Sequence, residues 1–257
     1  FHTNDTRIWN FVNNFAEFNG YFHNPKVVYD DTMYHFPINL STLNQLWGCK
    51  TPQEAKKELE KRKIKFDNPH ENLETWILSQ VGQEIYEKFI FGYTSKQWGR
   101  QPKDLPSFII KRLPIRLNYN SSYYRNDKYQ GVPTGGYTKM IANMVTNIGI
   151  ECGVDFFENK ESIISSCKKL VYTGPIDEYF ENIHGELGWR SLRFEESLVN
   201  VPDFQGTSQV NYTNIEIPYT RIIEHKHFDP TNVDHTIITK EFPQVYTKGR
   251  EKYYPIN

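Results

Sequence analysis

Apolar residues recur at helical spacing through roughly the first 150 positions and at alternate positions afterwards. In NDTRIWNFVNNFAEF, Ile8, Phe11, Val12 and Phe15 fall at i, i+3, i+4 and i+7, which predicts a helix with Asp5 or Thr6 as its cap. KVVYDDTMYHFPI reads as two short strands joined at Asp30-Asp31. Ser41 is placed to cap a short helix through Leu43, Leu46 and Trp47. TPQE at 51–54 is a capping box with proline at the first helical position, so AKKELEKRK is expected as a charged surface helix. Leu73, Ile77, Val81, Ile85 and Phe89 step by four and predict one long helix that stops at Gly92. DLPSFIIKRLP is a short helix between prolines, NYNSSYYRNDKYQGVPTGG has loop composition, and YTKMIANMVTNIG predicts a helix ending at Gly149. From there VDFF, KKLVYTG, RSLRFEESLV, TSQVNYTNIEI, RIIEHKHF and HTIITKEF read as strands. Helices followed by strands, without βαβ alternation, define an α+β class.

The 257 residues are enough for one large or two modest domains. Thirty basic against 31 acidic side chains leave almost no net charge, which excludes a general nucleic-acid binder. No run of 18 apolar residues is present to span a membrane, and FHTNDTRIWN has neither the basic start nor the apolar stretch of a signal peptide. Cys49, Cys152 and Cys167 form no CxxC pair, so reduced thiols in a cytoplasmic protein are expected. No GxGxxG follows a strand, and GVPTGG at 131–136 reads as a turn because no strand leads into it.

Three stretches carry candidate chemistry. In KRLPIRLNYN (111–120), Lys111, Arg112 and Arg116 form either a solvated basic turn or a phosphate clamp. In IPYTRIIEHKHF (217–228), Arg221 shares a strand face with Ile223 and His225, and an inward strand arginine needs a carboxylate or a ligand anion. His225 and His227 lack a third ligand of suitable spacing, so no metal is expected. In FIFGYTSKQWG (89–99), Phe89, Tyr93 and Trp98 read equally as a helix end packed in the core or as a stacking pocket. Aromatic faces plus arginines suit a nucleotide or nucleotide-sugar diphosphate and do not by themselves name a reaction.

GYTSKQWG (92–99), KRLPIR (111–116), QGVPTGGYTKM (130–140), YTGPID (172–177), PYTRIIEHK (218–226) and YYPI (253–256), with FHT at the start, together resemble the bacterial UDP-galactopyranose mutase family from end to end of the chain. The resemblance implies a flavoenzyme that interconverts UDP-galactopyranose and UDP-galactofuranose through attack by reduced flavin N5, without net redox change. It implies that Arg112 and Arg221 hold the UDP diphosphate, Phe89 and Tyr93 stack on uracil, and Thr94 is the nearby polar contact. Trp98 matches a position beside the sugar, Tyr123 and Tyr254 reach the diphosphate, Asn211 lies near it, and His23 falls near the sugar or uridine. His2 matches a residue by the flavin ring, and Phe156 or Phe157 one at its adenine.

The family's GxGxxG unit and its closing segment are missing from this sequence. The chain is therefore expected to be an internal fragment that retains no FAD by itself. Residues 1–22 are expected to be a remnant of a Rossmann-like FAD domain, 23–148 a mainly helical uridine-binding domain, and 149–257 a mostly antiparallel sheet domain. A homodimer is implied by the resemblance alone. Two other readings stand beside it: a UDP-binding module without activity, and another two-domain flavoprotein such as an amine-oxidase-like enzyme.

Overall fold

A computed structural model describes residues 1–110, 115–124 and 126–256. Its frame is a seven-stranded sheet in the order β3-β2-β6-β7-β8-β5-β9, formed by β2 (Lys26–Tyr29), β3 (Thr32–His35), β5 (Gly188–Val199), β6 (Gln209–Tyr212), β7 (Arg221–Glu224), β8 (Thr236–Val245) and β9 (Tyr254–Ile256). All neighbours are antiparallel except β2 and β6. A separate ribbon pairs β1 (His2–Thr3) with β4 (Tyr129–Gln130). Helices α1 (Thr6–Val12), α2 (Leu40–Trp47), α3 (Pro52–Arg62) and α4 (Leu73–Val81) precede the long strands, so the class is α+β as the pattern predicts.

Local chemistry explains most of these elements. The β2–β3 hairpin turns at Asp30 and Asp31, with φ of 45° and 58°, a left-handed pair that short acidic side chains tolerate. Helix α3 has the capping box expected of Thr51 and Glu54, each bonded to the other's backbone N–H. Helix α2 is capped two residues earlier than expected: Asn39, not Ser41, accepts from the Thr42 backbone N–H. Leu40, Leu43, Leu73, Ile85 and Phe89 from the helices meet Val27 of β2 in the main core.

The stretch from Leu73 to Phe89 is not one helix that stops at Gly92. Gly82, with φ of 78°, ends α4, and a Cβ there would run into the Arg62 carbonyl. The chain then restarts as α5 (Gln83–Ile85), widens into a π-helical turn at Tyr86–Phe91, and continues through Gly92 as α6 (Gly92–Trp98). Tyr93 is thus inside a helix rather than beyond its end. Helix α7 spans Gly136–Met144 and stops short of Gly149. VDFF and KKLVYTG form no strand; the same region holds α8 (Lys160–Ser166) and α9 (Ile176–Tyr179) between turns.

Candidate functional site

The site is organised by one row of residues crossing the sheet. Val27 of β2 lies opposite Asn211 of β6, Asn211 opposite Arg221 of β7, and Arg221 opposite Glu241 of β8. Side chains in direct register share a face, so three polar groups converge there. Arg221 Nη2 pairs with Glu241 Oε1 at 2.8 Å, and Glu241 also accepts from the Thr220 hydroxyl at 3.2 Å. Gln209 Nε2 donates to Asn211 Oδ1 at 2.9 Å. Asn211 and Glu241 are 5 % and 4 % exposed. Burial alone would lower the Arg221 pKa, but Tyr93, Glu241 and Tyr254 outweigh it and hold the guanidinium charged, above its ordinary value. Arg221 Nε is buried and has no partner among the described residues, so the guanidinium is not fully satisfied by them.

Helix α6 faces this row, and the rest of GYTSKQWG explains how it is held there. A Cβ at Gly92 would collide with the Thr213 carbonyl, so glycine allows the helix to approach the end of β6. The Lys96 ammonium lies within hydrogen-bonding distance of the carbonyls of Tyr212, Asn214, Ile217 and Tyr219, at 2.7 to 3.0 Å. Burial lowers its pKa to about 8. At the helix C-terminus Arg190 donates to the Gln97 and Lys96 carbonyls at 2.9 and 3.0 Å. Gly99 ends the helix at φ 64°, with the Arg190 guanidinium where a side chain would be. Gly92, Lys96 and Gly99 are thus anchoring positions, which leaves Tyr93, Thr94, Gln97 and Trp98 facing a cavity.

That cavity, about 310 Å³, is closed by Phe36, Phe89, Tyr123, Asn211 and Arg221. Phe89 contributes from within the core, its ring set edge-on to Tyr34 at 5.3 Å. Tyr254 borders the same group: its hydroxyl accepts from Gln97 Nε2, its ring lies 6.2 Å from Trp98, and burial followed by Glu241 and Tyr93 pushes its pKa to about 12. A second cavity of about 540 Å³ includes Phe1, Tyr21, His23 and Tyr124, and it shares Tyr123, Gln209 and Arg221 with the first. The two are chambers of one cleft, with Arg221 at their junction. His23 lines the second chamber and is held neutral: burial first, then the charges of Arg221, His2 and the N-terminus, bring its pKa to about 4. His2 stacks on Tyr124 with ring centres 3.6 Å apart, and its Nδ1 pairs with Asp127 Oδ2.

Other candidate residues lie outside the described residues or apart from this cleft. Arg112 lies outside the described residues. Arg116 is no clamp: it is buried and donates to the Asn120 and Ser122 carbonyls, bracing the loop that carries Tyr123. Phe156 and Phe157 pack with Tyr172 and border neither chamber. His225 and His227 belong to a 3-10 turn and part company, His225 bonding Thr239 and His227 joining Asp203 and Glu224. Ligand atoms of that last trio lie within 4.8 Å of one another. Both Glu224 oxygens already accept backbone N–H groups of Phe204 and Gln205, and Asp203 accepts that of Gly206, so the trio ties down the 203–206 loop. Glu241 was missed. The phase of HTIITKEF puts Thr239 and Glu241 on one strand face, but that this face lies opposite Arg221 follows only from the β7–β8 register.

A helix face of aromatic and polar groups stands against a sheet row that carries an incompletely satisfied arginine, a combination whose chemistry suits a planar ring joined to an anion. The chain belongs to the UDP-galactopyranose mutase family, whose model matches residues 88–257. It is 37 % identical to a probable UDP-galactopyranose mutase of Klebsiella pneumoniae, aligning over the whole of this chain and 66 % of that protein. It is 34 % identical to a dTDP-fucopyranose mutase of Escherichia coli, again over the whole chain and 70 % of the relative. The chain thus spans about two thirds of the length of these relatives. A crystal structure of a reduced UDP-galactopyranose mutase shares the fold, with a TM-score of 0.62 at 12 % identity over 100 % of this chain and 70 % of that one. Among the described residues, no helix is long and apolar enough to cross a membrane.

Proposed function

We propose that this chain is the nucleotide-sugar-binding part of a flavin-dependent mutase that interconverts UDP-galactopyranose and UDP-galactofuranose without net redox change. The observation that carries this reading is the position of Arg221 between an aromatic chamber and a histidine–tyrosine chamber. In this reading Tyr93 and Phe89 flank the uracil and Thr94 offers a polar contact. Trp98 closes the side of the chamber, and Tyr254 stands behind it, hydrogen-bonded to Gln97. Arg221 and Asn211 meet the diphosphate, joined by Tyr123. Glu241 takes one edge of the guanidinium and fixes the direction of the other, so charge that develops on departing UDP meets a donor already in place. Retaining UDP beside Arg221 keeps it available for return to the isomerised sugar.

A reduced flavin, when bound, would supply nucleophilic chemistry at the anomeric carbon, and the residues of this chain would hold the nucleotide and sugar against it. The stacked His2 and Tyr124 offer a flat wall that fits the edge of such a ring, next to the chamber that Tyr124 lines. The 257 residues contain no GxGxxG cradle for a dinucleotide pyrophosphate, so FAD retention by this chain alone is not expected. A homodimer remains part of the proposal on family grounds.

The test is to give the protein containing this chain reduced FAD and UDP-galactofuranose and to look for the pyranose; no conversion overturns the reading. The relative named a dTDP-fucopyranose mutase makes dTDP-fucopyranose the necessary second substrate. Faster conversion of that compound would keep the mutase chemistry and replace the nucleotide and sugar. UDP calorimetry on the chain itself separates binding from turnover.

A further inference from the structure

His23 reaches the larger chamber with an unusual support behind it. Its Nδ1 lies 2.7 Å from the Tyr21 hydroxyl, which lies 2.6 Å from the Ser208 hydroxyl. The backbone fixes the geometry on both sides: the His23 N–H donates to Gln130 Oε1, and its carbonyl accepts from the Tyr123 N–H. The Tyr21 ring packs 5.0 Å from Phe228, and Ser208, just before β6, is 3 % exposed.

Three protons must be placed in this chain: one on each hydroxyl and one on the neutral imidazole. If His23 Nδ1–H donated to Tyr21 and Tyr21 to Ser208, the buried Ser208 proton would have no acceptor among the described residues. Run the other way, Ser208 donates to Tyr21 and Tyr21 donates to Nδ1. Every hydroxyl proton is then used, the two bonds polarise each other, and the imidazole proton sits on Nε2. A charged imidazole would need a proton on Nδ1 and reverse the chain, and the neighbouring positive Arg221 also disfavours it.

We propose that Ser208 and Tyr21 are positioning residues that hold His23 as its neutral Nε2–H tautomer, so that the chamber wall beside Arg221 presents a hydrogen-bond donor to an oxygen of the sugar. The tautomer follows from this chain's own groups; the identity of the acceptor as a sugar oxygen rests on the mutase reading. Ser208 lines neither chamber, and Tyr21, although part of the larger chamber's wall, has its hydroxyl engaged by His23 and Ser208.

The test has two arms. Imidazole nitrogen NMR of this chain at pH 7, with the His23 signal assigned by its loss in His23→Gln, should show the proton on Nε2. Tyr21→Phe, which keeps the ring on Phe228, should give a mixed tautomer. Ser208→Ala should move part of the way, and Ser208→Thr, which keeps the hydroxyl, should restore the wild-type signal. A wild-type proton on Nδ1, or an unchanged tautomer in both Tyr21→Phe and Ser208→Ala, overturns the proposal. In the protein containing this chain, Tyr21→Phe should lower sugar turnover about three- to tenfold while UDP affinity stays constant. An equal loss of UDP affinity would overturn the sugar assignment. Failure of the wild-type protein to turn over any nucleotide sugar would defeat the mutase reading, and the NMR arm would still decide the tautomer.

Discussion

Two stretches of this chain carry comparable apolar residues and meet opposite fates. Between Lys26 and Trp98, Val27, Leu43, Leu73, Ile85 and Phe89 are buried in a single core. Between residues 146 and 187, Ile148, Ile150, Val171, Ile176 and Ile183 are exposed, and the one buried residue is a carboxylate, Asp177. Asp177 accepts the Leu187 N–H at 3.0 Å and lies 3.9 Å from the Lys252 ammonium. Apolar content therefore does not decide burial. The first stretch has helices at matched spacing and a sheet edge to receive them. The second has short helices, turns and no partner strand, so its apolar side chains have nothing in this structure to close on.

The widest expected gap between the two regions is in stability. Ile85→Ala, at a site with 0 % exposure, should cost about 2–5 kcal/mol in urea unfolding. Val171→Ser, at 85 % exposure, should change stability by less than about 0.5 kcal/mol. Equal losses would mean that the second stretch packs in solution as firmly as the first.

Acid should distinguish the cleft in a similar way. The His23 pKa is depressed to about 4, below the usual value near 6.5, so the unfolded chain binds the proton first. Its contribution is fully present above pH 6.5 and falls away as pH drops toward 4, by on the order of 2–3 kcal/mol. Unfolding of the wild type and His23→Gln at pH 7 and pH 4.5 measures this; the variant should lose less stability on acidification. Identical pH dependence would place His23 in water rather than in the chamber wall.

Arg221→Ala should weaken UDP binding by roughly 1.5–3 kcal/mol, read by calorimetry, because a charge-assisted contact is lost and Glu241 is left without its cation. Lys160, paired with Glu181 on the surface of the second stretch, provides the contrast, and Lys160→Ala should leave UDP affinity unchanged. Matching losses would remove the diphosphate assignment from Arg221.

Period and punctuation carried much of the architecture into view. The Asp30-Asp31 hairpin, the Thr51–Glu54 capping box and the strand character of RSLRFEESLV and HTIITKEF all follow from local rules. The errors came where a local signal needed a distant partner. VDFF and KKLVYTG have strand composition, yet pairing is a property of two segments and none is offered to them. Gly92 reads as a stop when seen alone, although the Thr213 carbonyl makes it a close-approach glycine inside a helix. The inward face of Arg221 was legible from alternation, and with it the need for an anion. Glu241 as the structural half of that anion required knowledge of which strands are neighbours. Lys96 and Arg190 were out of reach for the same reason, since the carbonyls they satisfy come from segments about 90 to 120 positions away.

The smallest expected effect concerns the helix starts. In α3 the Thr51 side chain accepts the Glu54 N–H and Glu54 returns a bond to the Thr51 N–H, so two of the orphan donors at this end are met. In α8 the cap residue Asn159 makes no side-chain capping bond; its amide donates instead to the Asp155 carbonyl at 2.9 Å. Thr51→Ala should therefore cost about 1 kcal/mol, and Asn159→Ala only a few tenths. Both positions are exposed, so neither change disturbs packing, and chemical-denaturant midpoints isolate the capping bond. If Asn159→Ala cost as much as Thr51→Ala, α8 would be anchored in solution, and the contrast between a closed core and an open stretch would have to be redrawn at that helix.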